Sequence, residues 1–185
     1  YNTKSEIAFF HGPTNISFDS NFIYCEDGWY NTLIDKSEFS SNAYLCSNNQ
    51  KLSGDILFYD RKNGYGKALN NIAIEDTAND YTIYGHKAGY FEKLDSSIIT
   101  IEPLLVADLD DDTLYLHSDT IIANLDSSQH QQIKAFKGAK FYSKNLQGKC
   151  QVLFYFMRDS TIQMYNKPIL WSENYQLSSE HVILE

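Results

Sequence analysis

The chain has 185 residues and a formal net charge of −9, with 14 Tyr, 11 Phe and only 3 Pro. The negative charge argues against a nucleic-acid partner, because phosphate binding needs a basic stripe and the sequence has none. The composition favours strands over disorder, and no apolar run approaches the roughly 20 residues of a membrane-spanning helix. The length predicts a single domain over residues 1–185.

The chain begins at Tyr1, without Met and without an apolar signal segment. We therefore expect a mature product or an excised part of a longer precursor. Any targeting peptide has then already been removed.

Polar clusters rich in Asp, Asn and Ser recur about every thirty residues and predict turns. The first set is Asp19-Ser20-Asn21, Ser47-Asn48-Asn49, Thr77-Ala78-Asn79-Asp80, Asp110-Asp111-Asp112, Ser143-Lys144-Asn145 and Ser172-Glu173-Asn174. A second set lies between them: Asp35-Lys36-Ser37, Lys62-Asn63-Gly64, Asp95-Ser96-Ser97, Asp126-Ser127-Ser128 and Asp159-Ser160. Two turns in each unit predict two strand arms per repeat, joined as hairpins.

A third marker lies midway along one arm, where an apolar residue precedes a small or kinking pair. It occurs at Phe10-His11-Gly12-Pro13, Phe39-Ser40-Ser41-Asn42, Leu69-Asn70-Asn71-Ile72, Ile101-Glu102-Pro103-Leu104, Phe136-Lys137-Gly138-Ala139 and Tyr165-Asn166-Lys167-Pro168. Gly, Pro and Asn within a strand pattern mark bulges or bends. Six copies predict that the whole sheet folds over along a line.

A fourth marker lies in the other arm and is mostly aromatic. It reads Tyr30-Asn31, Tyr59-Asp60, Tyr90-Phe91, Ala123-Asn124 and Tyr155-Phe156. If neighbouring units stack, these residues form an aromatic ladder along one face. Packing of the core is the alternative.

Helix signals are poor, and the chain is predicted to be nearly all β. The stretch from Gln129 to Lys140 can be drawn as a short helix, but Ile133 and Ala135 fit a strand better. The arm at 152–156 is apolar on both sides. It is predicted either to be sandwiched or to present its second face to something non-aqueous.

Cys25, Cys46 and Cys150 are too few, and odd in number, for a disulfide framework. Cys25 and Cys150 follow turn clusters at similar offsets. This predicts small buried residues at equivalent sites and leaves the redox compartment open.

No motif indicates catalysis, a metal or a cofactor. The five His are scattered without metal-ligand spacing, and no nucleophile elbow or phosphate-binding Gly loop appears. A calcium loop that begins at Asp108 would have Thr113 where Gly is needed and Asp119 in place of the final Glu. We therefore predict a solvated hairpin tip there, and no enzyme.

With the repeat in view, the chain resembles the OstA-like proteins, relatives of LptA, over essentially its whole length. The segments that carry this resemblance are Phe10-His11-Gly12-Pro13-Thr14-Asn15-Ile16, Gly28-Trp29-Tyr30-Asn31 and Gly54-Asp55-Ile56-Leu57-Phe58-Tyr59-Asp60. The resemblance implies a folded-over antiparallel β-jellyroll, or β-taco, with an apolar interior groove.

The same resemblance implies a periplasmic protein that carries lipopolysaccharide towards the outer membrane. Its groove would shelter the acyl chains of lipid A, and its partners would be other lipopolysaccharide-transport components. Open stacks also leave unpaired terminal strands, so we expect end-to-end association of copies of the chain.

Groove-facing candidates are the apolar residues around the bends and in the doubly apolar arms. They are Ile72, Ile74, Ile99, Ile101, Leu104, Val106, Ile121, Phe136, Phe141, Val152, Phe154 and Ile169. Ordinary core packing is the alternative for each of them, and a register error of one residue reverses the face.

A carrier of a phosphorylated glycolipid is expected to have basic residues at the mouth of its groove, whereas this chain is net acidic. Either the head group stays in solvent, or Lys51, Arg61, Lys62 and Lys67 form a local basic rim.

Two other functions stay open. A structural or carbohydrate-binding β-repeat module would use exposed aromatics such as Trp29, Trp171 or Tyr175. A hydrolase on a β-solenoid would need clustered carboxylates on one outer face.

Overall fold

The computed structural model of the protein describes residues 6–18, 21–47, 49–109 and 112–185. Within these residues the chain forms one antiparallel sheet of 18 strands. The strands are β1 (Ile7–Phe18), β2 (Asn21–Asn31), β3 (Lys36–Ser40), β4 (Tyr44–Ser47), β5 (Gln50–Ser53), β6 (Ile56–Asp60), β7 (Tyr65–Asp76), β8 (Tyr81–Phe91), β9 (Ser96–Thr100), β10 (Leu104–Leu109), β11 (Asp112–His117), β12 (Thr120–Leu125), β13 (Gln131–Tyr142), β14 (Gln147–Phe156), β15 (Thr161–Tyr165), β16 (Ile169–Trp171), β17 (Gln176–Ser178) and β18 (His181–Leu184). A 3-10 turn at Glu92–Leu94 joins β8 to β9. The predicted all-β fold is confirmed.

The strand interpretation of the stretch from Gln129 to Lys140 is also confirmed, because β13 covers most of it. Three of the predicted turns depend in part on residues that lie outside the described ranges. The turn residues outside the described ranges are Asp19, Ser20, Asn48, Asp110 and Asp111.

The sheet divides into two arms that share its long strands. β1, β2, β7, β8, β13 and β14 have 10 to 12 residues each and run through both arms. In arm A, the order is β1-β2-β3-β6-β7-β8-β9-β12-β13-β14-β15-β18. In arm B, the order is β1-β2-β4-β5-β7-β8-β10-β11-β13-β14-β16-β17.

The predicted bends separate the two arms and are confirmed at all six positions. Each contains residues with a positive φ of 47° to 86°: Gly12, Ser41, Asn42, Asn70, Asn71, Ile101, Glu102, Lys137, Gly138, Asn166 and Lys167. Left-handed backbone reverses the local direction of a strand, and Gly and Asn adopt it at low cost. In β1, β7 and β13 the pairing register shifts at the same places.

The core lies between the arms, where two cross-strand ladders face each other. The arm A ladder is Phe10, Gly28, Phe39, Leu57, Ala68, Ala88, Ile99, Ile121, Ala135, Leu153, Met164 and Val182. The arm B ladder is Ile16, Ile23, Leu45, Leu52, Ile74, Ile83, Leu105, Leu116, Phe141, Gly148, Leu170 and Leu177. Period-2 alternation places each ladder on one face of its arm.

Small residues occupy the inner corner of the fold, where little space remains between the arms. Cys25 and Cys150 lie at equivalent corner positions, are buried, and are free thiols. The strand partner of Cys150 is Ala139, which is also buried. The predicted role of the two cysteines as small buried residues is therefore confirmed.

The aromatic marker residues share one cross-strand ladder on the inner face of arm A, nearer its rim. Tyr30, Tyr59 and Tyr90 are not direct neighbours, because strands that carry Ser37 and Gly66 lie between them. The marker residues therefore share one row, but their rings are separated from one another. Ala123 and Tyr155 belong to the buried core, which was the alternative.

Candidate functional site

Packing between the arms differs along the stack of strands. From β9 to β15 the interior is filled, and Ile99, Leu116 and Met164 are completely buried. In the N-terminal strands the inward residues Leu45 and Ile74 are only partly buried. The interior is therefore a packed core in the middle of the stack, and it is less covered at the N-terminal strands and at the last strands, where Leu177 on β17 is 41% exposed.

A cavity of about 360 Å³ occupies this open part. Arm B contributes Asn21, Ile23, Leu45, Ser47, Leu52 and Ile74 to its lining. Arm A contributes Phe39, Leu57, Phe58, Tyr59, Gly66, Lys67, Ala68, Ala88, Gly89, Tyr90, Glu92 and Ser97. Its volume is at the lower end of the range for small-molecule sites, and most of its lining side chains are apolar.

Small residues on consecutive strands make room for the cavity. Ala68 and Ala88 are neighbours in the arm A ladder, and Gly66 lies between Tyr59 and Tyr90 in the next row. At these positions arm A has no large side chain to reach arm B. Elsewhere in the ladder larger side chains, such as Ile99, fill the same space.

Tyrosine hydroxyls bonded to carboxylates line the rim of arm A beside the cavity. The Tyr59 hydroxyl donates to Oε2 of Glu92 at 3.0 Å, and the Tyr90 hydroxyl donates to Oδ1 of Asp95 at 3.5 Å. Burial, followed by the bond to Glu92, raises the pKa of Tyr59 to about 12. Burial likewise raises the pKa of Tyr90. Two hydrogen-bonded pairs of a tyrosine and a carboxylate therefore lie at the mouth of the apolar space.

The four residues of the predicted basic rim do not form one cluster. Arg61 and Lys62 are in the exposed turn between β6 and β7, on the rim of arm A. Lys67 borders the cavity, but it alternates with the inward residues Gly66 and Ala68, so its side chain belongs to the outer face of arm A. Lys51 is on arm B, where its ammonium group pairs with Oε1 of Glu75 at 3.2 Å.

Five of the predicted groove residues point into the interior: Ile72, Ile74, Ile99, Ile121 and Phe141. Among them, Ile74 lines the cavity. The other four belong to the buried core, which was the stated alternative for each. Their role in lipid binding stays a prediction.

The other seven candidates do not point inward, which corrects the orientation predicted for them. Leu104, Val106, Phe136, Val152, Phe154 and Ile169 alternate with buried residues and lie on the outer faces of the arms. Ile101 lies at a bend and is 55% exposed.

The error has two physical causes. These strands are apolar on both faces, so alternation alone does not identify the inner one. In β14 the alternation also slips at the bend, because Gln151 and Val152 both lie between the buried residues Cys150 and Leu153.

Sequence reasoning missed most of the cavity. Ile23, Leu45, Leu52 and Leu57 line it and were not among the candidates. The available signal was the run of small residues on β7 and β8, which leaves space opposite these aliphatic side chains.

The outer face of arm A carries an aromatic cluster on the doubly apolar strand β14 and its neighbours. The ring of Phe154 lies 6.2 Å from that of Phe136 and 5.5 Å from that of Tyr165. The Tyr165 ring stacks on His181 at 4.3 Å. This is the second apolar face that the sequence predicted for the strand.

An open depression of about 440 Å³ lies on the same outer face, nearer the N-terminus. It is lined by Glu38, Ile56, Phe58, Tyr65, Lys67, Leu69 and Lys87. It receives side chains from arm A alone, whereas the interior cavity is enclosed by apolar groups of both arms. The interior cavity is therefore the better candidate site.

The aromatic residues considered for a carbohydrate site are dispersed. Trp29 is in β2 of arm A, and Trp171 is in β16 of arm B, where its Nε1 donates to Gln176 at 2.8 Å. Tyr175 is in the turn after β16 and is exposed. These three side chains do not form one binding platform.

The described residues contain no group of three or more His, Cys, Asp or Glu side chains that could hold a metal ion. Nor does any helix within them have the length and apolarity needed to cross a membrane.

Comparisons with known proteins give matches among solved structures alone. Neither the protein-family models nor the curated protein sequences give a match. The structure is similar to the crystal structure of LptH from Pseudomonas aeruginosa, described as the LptA-homologous periplasmic component of the conserved lipopolysaccharide transport device. The TM-score is 0.57 and the identity 10%, over 74% of this chain and 94% of that chain. This chain therefore has an LptA-like β-jellyroll fold.

Proposed function

We propose that this chain is a non-enzymatic lipopolysaccharide carrier of the OstA-like, LptA-related type, and that its interior cavity shelters an acyl chain of lipid A. The observation that carries the proposal is the apolar cavity between the arms of an LptA-like fold. Burial of each CH₂ contributes about 0.8 kcal/mol without any directional contact. Such a site needs shape and apolar surface rather than a sequence motif.

In this proposal the protein works in the periplasm, on the route of lipopolysaccharide to the outer membrane. The structural similarity to a periplasmic transport component supports this compartment and this class of cargo. The other components of lipopolysaccharide transport are its proposed partners.

We also propose that copies of the chain associate end to end. Within the described residues, β1 pairs only with β2, and at the other end of the stack β17 and β18 pair only with β16 and β15. Unpaired strand edges are templates for added strands.

Site-specific photo-crosslinking in lipopolysaccharide-producing cells tests the cargo. A crosslinker at Leu52 or Ile74, both in the cavity lining, should label lipopolysaccharide strongly. The same crosslinker at Ala73, the outward neighbour of Ile74 on β7, is the matched control and should not. Equal labelling at Ala73, or none at Leu52 and Ile74 in a folded protein, would contradict the proposal.

A cavity-filling variant provides a second test of the same site. Ala88→Leu adds a large side chain inside the cavity. It should lower binding of purified lipopolysaccharide at least tenfold, because it displaces about two or three CH₂ groups of an acyl chain. Ala73→Leu adds the same side chain outside the cavity and should have little effect.

A further inference from the structure

The cavity ends at a definite strand in arm B. Its arm B lining comes from β2, β4, β5 and β7, and the last of these side chains along the stack is Ile74. The next strand in this arm is β8, whose inward residues Tyr81 and Ile83 are 4% and 0% exposed. They are the first arm B side chains beyond the cavity.

Tyr81 is hydrogen-bonded to the opposite arm. Its hydroxyl oxygen accepts a hydrogen bond from Nε2 of Gln131 at 3.0 Å. Tyr81 pairs with Ala107 in arm B, whereas Gln131 pairs with Leu125 in arm A. This bond therefore connects the rims of the two arms and fixes the ring across the interior.

The Tyr81 side chain also lies beside an ordered turn. Asp76, its strand partner on β7, accepts hydrogen bonds from the backbone N–H groups of Ala78 and Asn79 at 3.0 and 3.1 Å. Its second carboxylate oxygen accepts one from Nε2 of Gln50 at 2.9 Å. A ring in these surroundings, with its hydroxyl bonded, has little freedom to move aside.

Beyond Tyr81 the interior has no room for a ligand. Ile99, Leu105 and Ile121 in the neighbouring ladder positions are completely buried. In arm B the cavity therefore ends at β8, whereas its arm A lining continues to Ser97 on β9. The bond from Tyr81 to Gln131 on β13 crosses the interior beyond this last lining strand.

We propose that Tyr81, held by Gln131, is the end stop of the cavity and sets the length of the acyl chain that it accepts. This inference rests on the proposed function, because it assumes that an acyl chain lies along the stack of strands.

The test measures affinity against chain length. Saturated fatty acids that differ by two CH₂ groups displace a fluorescent fatty-acid analogue from the purified protein. Affinity should rise about 4-fold for each CH₂ while the chain gains apolar wall, because 0.8 kcal/mol corresponds to that factor. The rise should stop at the length that reaches Tyr81.

Substitutions of Tyr81 should change the chain length at which affinity stops rising, which is called the break here. Tyr81→Ala should shift it to longer chains, whereas Tyr81→Phe keeps the ring and should leave it in place. Tyr84→Ala removes an exposed tyrosine from the outer face of the same strand and is the matched control. If Tyr81→Ala does not fold, Gln131→Ala decides, because it removes the hydrogen bond that holds the Tyr81 ring across the interior and should move the break to longer chains.

The two proposals fail in different ways. An unmoved break in folded Tyr81→Ala, or in Gln131→Ala when the first variant does not fold, overturns the end stop and leaves acyl binding intact. Failure of the wild-type protein to bind any chain length overturns the proposed function, and the end stop with it.

Discussion

At the residue scale, the bends depend on side chains that tolerate left-handed backbone. The first positive-φ residue in five bends is Ser41, Asn70, Ile101, Lys137 or Asn166. Ile101, with φ at 62°, is the β-branched member of this set. A β-branched side chain in this region crowds the backbone, whereas Asn adopts it readily.

We therefore expect Ile101→Asn to stabilise the protein by roughly 1 kcal/mol, since relief of αL strain is of this size. The side chain is more than half exposed, so little apolar burial is lost. Thermal unfolding followed by circular dichroism measures the change. Ile98→Asn, in the regular strand β9, should instead lower the melting temperature, and a lower value for Ile101→Asn would contradict the strain argument.

Tyr59 makes stability depend on alkaline pH. Its pKa is raised from 10.0 to about 12 in the folded protein, so the folded state keeps a proton that the unfolded chain releases. Its contribution is present below pH 10 and is lost as the pH rises to about 12. Tyr59→Phe should show a shallower fall in melting temperature over this range. The exposed Tyr175→Phe serves as control, and identical slopes for wild type and Tyr59→Phe would refute the expectation.

At the element scale, each bend sets which face of an arm points inward. In β7 the buried residues Ala68 and Ile72 are four positions apart, so alternation continues across Asn70 and Asn71. In β14 the buried residues Cys150 and Leu153 are three apart, so alternation reverses. The number of residues in the bend is therefore as important as their identity.

Insertion of one Gly between Asn70 and Asn71 tests this dependence. It shifts the arm B half of β7 by one residue, which turns Ile72 and Ile74 away from the interior. We expect a large loss of stability or of cooperative unfolding, measured by urea denaturation. The same insertion between Lys62 and Asn63, in an exposed turn, should be tolerated. Comparable midpoints for the two insertions would show that the bend adapts to its length.

At the scale of the whole molecule, the stack is asymmetric along its length. The strands from β9 to β15 supply the most completely packed core, and the N-terminal part leaves the cavity open. Both ends of the stack present strands with one unpaired edge in the described residues, which is the basis for the proposed end-to-end association.

If copies join through these edges, the mass measured by light scattering should rise with protein concentration. Asn15→Lys with Ser17→Lys, two exposed positions on the edge strand β1, should reduce this rise, because charged edges oppose strand addition. Thr82→Lys on the central strand β8 is the control. A monomer at every concentration would contradict the association.

The positions of the bends and the strand content were predictable from local sequence, but the cavity was not. The bends at Asn70-Asn71 and Lys137-Gly138 are predictable, because Asn and Gly are among the few residues that accept a positive φ. In contrast, Phe154 and Leu153 are both apolar, and alternation cannot say which of them faces the interior. Similarly, no local signal distinguishes Ile99 in the filled core from Ile74 in the cavity wall.

The sequence by itself therefore determined an all-β chain of bent hairpins, because turn and bend preferences act over a few residues. Only the tertiary structure decided which face is interior, where the arms leave a cavity and that Tyr81 is hydrogen-bonded to Gln131 across the fold. These features depend on side chains far apart in the chain, such as Tyr81 and Gln131, and on the volumes that meet between two facing arms.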